Sequence, residues 1–274
     1  MSFIEDARWF SATPTAGPAG KPAAQGRVTL VGAGPGDPEL LTLRAVKALR
    51  GASLVLYDHL VGREVLRYVA DDADLIYVGK ESSQHTLPQE SIIDLMLRLA
   101  RSGRSMVRLK GGDGFIFGRG GEEAQALAEA GIAFEVVPGI TAAQGAGACA
   151  GIPLTHRDHA ATLVFATGHL RGENEVALDW QALARPRQTV VIYMGMGTLP
   201  VICEQLVRHG LPAATPAALV EQASLPGQRC ITGTLQDLPT LAEQHKVRPP
   251  ALIVVGEVVA LQPQLMRGMQ GAVL

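Results

Sequence analysis

The chain has 274 residues, with 24 Lys and Arg against 26 Asp and Glu, a formal net charge of -2. That length suits one large or two medium α/β domains, and the charge balance excludes general nucleic-acid binding through a basic surface. Hydrophobic residues make up 47% but aromatics only 4%, so the core must be aliphatic, which favours Val- and Leu-rich parallel strands over a sandwich.

Residues 1–26 carry Pro14, Pro18 and Pro22, with Glu5, Asp6 and Arg8 where a signal peptide would begin its apolar stretch. A disordered tail is expected there. From Arg27 short aliphatic runs alternate with helical stretches. Val28 to Val31, Leu54 to Tyr57, Leu75 to Val78, Met106 to Leu109 and Phe134 to Val137 read as strands. Leu40, Leu43, Val46 and Leu49 recur at helical spacing, as do Ile92, Leu95, Met96 and Leu99. Asp37 before Pro38 predicts the first helix start, and Thr86 with Gln89 predicts a capping box for the next long helix.

The Gly- and Ala-rich segment from Gly139 to Gly151 predicts a crossover helix. Beyond it Leu163 to Ala166, Val190 to Tyr193, Ala218 to Val220, Cys230 to Thr232 and Leu252 to Val255 are strand candidates, with helices after Leu199 and Asp237. The expected architecture is two α/β domains, 27–138 and 155–262, joined by 139–154 and followed by a tail, 263–274, with the active site in the cleft between them. No run approaches the ~18 apolar residues of a membrane span, so a soluble protein is expected. Cys149, Cys203 and Cys230 form no CxxC pair and suggest neither zinc nor disulfides; a reducing cytoplasm is the simplest setting.

Two glycine-rich loops stand out. Arg108 to Gly120 holds five glycines and three cations, Arg108, Lys110 and Arg119, around Asp113. Glycine lets the backbone approach a ligand closely, and a strand end is where α/β proteins place their sites. The other loop, Gly32-Ala33-Gly34-Pro35-Gly36-Asp37-Pro38, opens a helix after the first strand, with Asp58 about 20 residues on. A dinucleotide fold fails here, because the sixth position is Asp37, an acid that would repel a pyrophosphate at that helix start.

Together these segments resemble the tetrapyrrole (corrin/porphyrin) methylase family. Val31 to Pro38 with Leu40-Leu41-Thr42, Tyr57 to Val61, Val78-Gly79-Lys80 and the Arg108–Gly121 loop carry the likeness. Val137 to Ala142, Gly151 to Arg157 and Tyr193-Met194-Gly195 continue it, in order, from about Arg27 to about Leu261. The resemblance implies the family's class III methyltransferase fold, a homodimer, and S-adenosylmethionine in the cleft. It implies cofactor contacts at Pro35, Gly111, Gly112, Asp113, Ile116, Thr141, Ala142, Met194 and Ala223. Taken singly, Ile116 and Met194 also read as ordinary core. The family usually has proline where this chain has Gly114, which predicts a less preorganised loop.

The implied activity is C-methylation of uroporphyrinogen III at C-2 and C-7 to precorrin-2, through precorrin-1, for sirohaem, cobalamin or haem d1; methylation of a later corrin precursor is the alternative. Residues 1–26 are too few for a dehydrogenase–ferrochelatase module, so the chain is expected to stop at precorrin-2. An octacarboxylate substrate calls for arginines. Arg119, Arg157 and Arg108 are the candidates, with Arg63, His156 and His169 as further donors. The resemblance implies Asp58 as proton acceptor and Lys80 as proton donor. Alternatives stay open: Asp58 as a loop tether, Lys80 as a propionate ligand, and the Arg119/Glu122 pair as the catalytic unit. A nicotinamide-dependent dehydrogenase and a non-catalytic cofactor sensor are the readings from other classes.

Overall fold

The computed structural model describes residues 25–79, 88–169 and 178–270. Among them lie strands β1 (Val28–Gly32), β2 (Leu54–Tyr57), β3 (Asp74–Tyr77), β4 (Met106–Lys110), β5 (Phe134–Val137), β6 (Thr162–Thr167), β7 (Gln188–Tyr193), β8 (Pro216–Glu221), β9 (Arg229–Thr234) and β10 (Ala251–Val255). Each coincides with its expected run to within two residues at either end. The helices are α1 (Leu43–Arg50), α2 (Arg63–Leu66), α3 (Gln89–Arg101), α4 (Gly120–Glu129), α5 (Ala142–Ala150), α6 (Trp180–Leu183), α7 (Leu199–Arg208), α8 (Leu238–Gln244) and α9 (Gln262–Gln270). α9 covers most of the stretch assigned to a C-terminal tail.

β1 to β5 form a parallel sheet in the order β3-β2-β4-β1-β5. Side chains alternate across a strand, and the sequence uses that period to build two cores. Val28, Leu30, Leu54, Leu56 and Met106 face α3 and α4. Val31, Val55, Val107 and Leu109 face α1 and α2. The same alternation sends Arg108 and Lys110 to the Met106 side, beneath α4.

β6 to β10 form a second sheet, β6-β7-β10-β8-β9. Only β6 and β7 are parallel; β10 is antiparallel to β7 and β8, and β8 to β9. This half is therefore a mixed sheet, still covered by helices on both faces as the two-domain α/β reading expects. Residues 222–228 are too few to carry the chain back for a parallel strand, which needs a crossover of about a dozen residues. α5 covers one face of this sheet through Ala143, Ala146 and Ala150. α7 and α8 cover the other.

Two helix starts differ from expectation. Asp37 caps only a short 3-10 turn, Pro38–Leu40, its Oδ1 accepting from Glu39 N at 2.9 Å. Thr42 then caps α1 anew, accepting from Ala45 N at 3.1 Å. The second cap resets the helical phase, so Ala45 and Leu49 point inward while Leu43 is 89% exposed. α3 begins after Pro88 without a side-chain cap, so Gln89 is its first residue and not the fourth of a capping box. Thr86 lies outside the described residues.

Candidate active site

The loops leaving β1, β4 and β5 meet through bare backbone. Gly34 N donates to Gly112 O at 3.1 Å and Gly112 N to Gly34 O at 2.7 Å. Asp113 ties the third loop in, Oδ2 accepting from Gly139 N at 3.0 Å while Oδ1 accepts from Phe115 N at 2.8 Å. A Cβ on Gly32 would lie 2.5 Å from Gly139 N, so this approach excludes any side chain. Gly112 has φ +65°, and a Cβ there would project to 3.6 Å from Ala142 N. That N–H, in the first turn of α5, has no acceptor among the described residues. The result is a small open cradle with a free donor.

The second sheet turns its own strand ends toward this cradle. Tyr193, closing β7, brings its hydroxyl to 2.5 Å from Thr141 Oγ1 and accepts from Ala143 N at 3.0 Å. Its ring lies 4.8 Å from that of Phe117. Burial raises the phenol pKa above its ordinary value, which keeps it neutral and able to share both bonds. Met194 follows with φ 54° and is half exposed. Ala223, past β8, sits between Gln222 (φ 49°) and Ser224 (φ 65°), and Ser224 Oγ accepts from Asp37 N at 3.1 Å. Ile116, Ala142 and Ala223 pack on one apolar cluster with Tyr193. Pro35 lies against Gly145 of α5, where a Cβ would come within 2.6 Å of its ring. The nine residues named for the cofactor therefore converge at facing edges of the two sheets.

Beside the cradle lies a buried polar cluster. Arg108 Nη2 donates to Asp58 Oδ2 at 3.1 Å, Nε to Glu123 Oε1 at 3.2 Å, and Nη1 to Leu109 O at 2.9 Å. Lys110 Nζ and Gln89 Nε2 also donate to Glu123 Oε1, at 2.9 and 3.0 Å. Arg108 is 2% exposed. Its guanidinium is sealed inside and held by three protein acceptors, whereas the expectation was of a cation open to substrate carboxylates. Its partner Asp58 also accepts from Leu60 N through Oδ1 at 3.2 Å. Burial, then the Arg108 charge, lowers the Lys110 pKa below its ordinary value, against the raising effect of Glu123.

Arg119 holds Glu122 in a fork, Nε to Oε1 at 2.8 Å and Nη2 to Oε2 at 2.6 Å, both residues about half exposed. That bond holds the Glu122 carboxyl below its ordinary pKa and Arg119 above its own. Arg63 is exposed at the start of α2, and His169 is exposed at the same sheet edge as Met194. His156 and Arg157 are not brought to the cradle. They form a turn before β6, with Arg157 O accepting from Arg187 and His156 Nδ1 accepting from Asp158 N. β7 separates that end from Tyr193 by roughly 17 Å at strand rise. The motif precedes its strand, whereas the cradle is built from residues that follow theirs, so within one chain these two candidate substrate ligands lie away from the glycine loops. Lys80 lies outside the described residues.

Two contributors were not assigned roles from the sequence, the Tyr193 hydroxyl and Glu123. A signal for Glu123 existed, since it is one turn before buried Leu127 on the face that meets β4.

Gly114 is buried, and a Cβ there would meet only the flexible Lys110 side chain, at 3.4 Å. Its N–H donates no hydrogen bond among the described residues. Gly114→Pro is therefore expected to tighten binding of S-adenosylhomocysteine by about 0.4–1 kcal/mol through reduced loop freedom, roughly two- to fivefold. Equal affinities by calorimetry would show the loop to be equally ordered in both.

Two sheets whose strand ends face each other across a glycine-lined cradle define an α/β protein. The family model for tetrapyrrole (corrin/porphyrin) methylases matches residues 27–239. This chain belongs to that family. It is 56% identical over 240 residues to a sirohaem synthase from Nitrosomonas eutropha, covering 88% of this chain and 50% of that protein. A sirohaem synthase from Methylobacillus flagellatus is 57% identical over 240 residues, with 88% and 51% covered. The chain thus spans about half the length of the curated relatives it matches. Among solved structures, the uroporphyrin-III C-methyltransferase of Thermus thermophilus, complexed with S-adenosylhomocysteine, is 44% identical with TM-score 0.74, covering 86% of this chain and 100% of that one. A cobalt precorrin-4 methyltransferase is 25% identical with TM-score 0.76, covering 89% and 99%.

Proposed function

We propose that the chain is an S-adenosylmethionine-dependent C-methyltransferase that converts uroporphyrinogen III to precorrin-2. The observation that carries this reading is the cradle of Gly34, Gly112 and Gly139 beside Asp58. The match that spans the whole Thermus chain, and the sirohaem synthase relatives, support it. The residues fit the cofactor. The cradle is open where a Cβ would stand, the Ala142 N–H offers a free donor, and Asp113 retains acceptor capacity for an ammonium. Ile116, Met194 and Ala223 supply apolar surface. S-adenosylmethionine, when bound, supplies a sulfonium methyl group to a nucleophilic carbon.

The chain's own work is then orientation and proton handling. Forming a quaternary carbon on a pyrrole ring requires a proton to leave the macrocycle, and a positioned base accelerates that step. Asp58 has the means: one oxygen is held by Arg108, the other by Leu60 N–H, and its side chain is 24% exposed at the cleft. Arg119 is the most accessible cation of the loop and a candidate ligand for substrate carboxylates, with Glu122 orienting it. Lys80 is retained as the proton donor implied by the family. In this reading the parts 27–138 and 155–262, joined by 139–154, close on the cofactor, and the protein works as a cytoplasmic homodimer. Its three free cysteines accord with a reducing compartment. No helix among the described residues is long and apolar enough to cross a membrane.

The likeness to a precorrin-4 methyltransferase favours a second reading, methylation of a later corrin precursor. Anaerobic incubation with uroporphyrinogen III and S-adenosylmethionine separates the two. A product heavier by two methyl groups is expected. Cofactor binding without methyl transfer would overturn the substrate and leave the later intermediates to test.

A further inference from the structure

The buried cluster contains more charge than its packing role requires. Glu123 is fully buried, yet its Oε1 receives Arg108, Lys110 and Gln89 together while Oε2 has no hydrogen-bond partner among the described residues. An unpaired buried oxygen is costly, and apolar residues of similar volume often replace a buried ion cluster without loss of stability. Stability is therefore a poor account of this arrangement, and its geometry suggests another. Arg108 is held at three nitrogens by three different acceptors, Glu123 through Nε, Asp58 through Nη2 and the Leu109 carbonyl through Nη1. A planar guanidinium pinned this way cannot rotate, so the direction of its Nη2–H toward Asp58 is set from behind by Glu123.

We infer that Glu123 is a positioning residue for the proton-accepting step: it fixes Arg108, and Arg108 fixes the Asp58 carboxylate against the macrocycle. Lys110 is the second cation that lets this carboxylate stay buried. The inference rests on the proposed methyltransferase reading and adds to it a residue that touches neither substrate nor cofactor. It also explains why Arg108 and Lys110, two cations in a glycine loop, face inward beneath α4 when an octacarboxylate ligand is expected outside.

The test compares wild type with Glu123→Met, which removes the acceptor that holds Arg108 at similar volume, and with the double variant Lys110→Met/Glu123→Met. The double variant removes the buried ammonium that the single one would strand, so it guards against simple misfolding. Melting temperature and S-adenosylhomocysteine affinity by calorimetry are measured beside steady-state methylation of uroporphyrinogen III. The expected result for the double variant is a melting temperature near that of wild type and a cofactor Kd and substrate KM within about threefold. Its kcat should fall at least tenfold and stay low at saturating substrate. A double variant with wild-type kcat would overturn the inference alone. So would a parallel loss of kcat, KM and cofactor affinity, which marks a merely structural role. Wild-type protein that binds S-adenosylhomocysteine but never methylates uroporphyrinogen III would instead overturn the functional reading, and this inference with it.

Discussion

Asp58→Asn is expected to bind S-adenosylhomocysteine and uroporphyrinogen III much as wild type does and to lose at least a hundredfold in kcat. General bases contribute about 10²–10⁴-fold, and the substitution removes the basic oxygen while keeping nearly the same volume. An amide can still accept from Leu60 N–H, and Arg108 keeps Glu123 and the Leu109 carbonyl, so the loop should hold. Single-turnover methyl transfer is the decisive measurement. Recovery of the rate at saturating substrate would make Asp58 a binding residue. An unaffected rate would move the role to the rival pair, which Glu122→Gln tests directly. Both carboxylates have both oxygens engaged, Glu122 by the Arg119 fork and Asp58 by Arg108 and the Leu60 N–H, so the two variants are compared side by side.

The second large effect is expected at Gly139. A Cβ there would overlap Gly112 O and come within 2.8 Å of Gly32 C and Cα. All are backbone atoms, so none can swing aside as a side chain could, and the loops after β1, β4 and β5 must part. Overpacking of this kind costs about 1–3 kcal/mol, which lowers the melting temperature by roughly 2–5 °C in a chain of this size. It should also strain the Gly139 N–Asp113 bond and weaken S-adenosylhomocysteine at least tenfold. Gly268→Ala is the control, since nothing lies within 4 Å of a Cβ in that helical position; it should be neutral or slightly stabilising. Unchanged cofactor affinity in a folded Gly139→Ala protein would refute the cradle as the binding surface.

Much of this architecture was legible in the chain. Strands such as Leu54–Tyr57 and Phe134–Val137 were readable because aliphatic runs bounded by glycine and polar residues leave little choice. The glycine loops were readable because only glycine permits backbone-to-backbone contact of this kind. Helix phase was less legible: Thr42, a second cap so near Asp37, turned Leu43 outward. Strand direction in the second half was not legible, because composition does not distinguish a parallel strand from an antiparallel one, although the short 222–228 connection does.

The sequence by itself determined the alternation of elements, the two glycine-rich loops and the family, since these depend on residue type and local spacing. Tertiary structure alone decided which charges face a ligand. Arg108 lies in β4 and Arg119 in the loop that follows it, so strand parity buries the first under α4 while a left-handed turn leaves the second about half exposed. His156 and Arg157 share a motif with the family, yet within the chain they precede β6 instead of following it. Burial, and which groups meet across the cleft, are properties of distant segments brought together, and no local pattern encodes them.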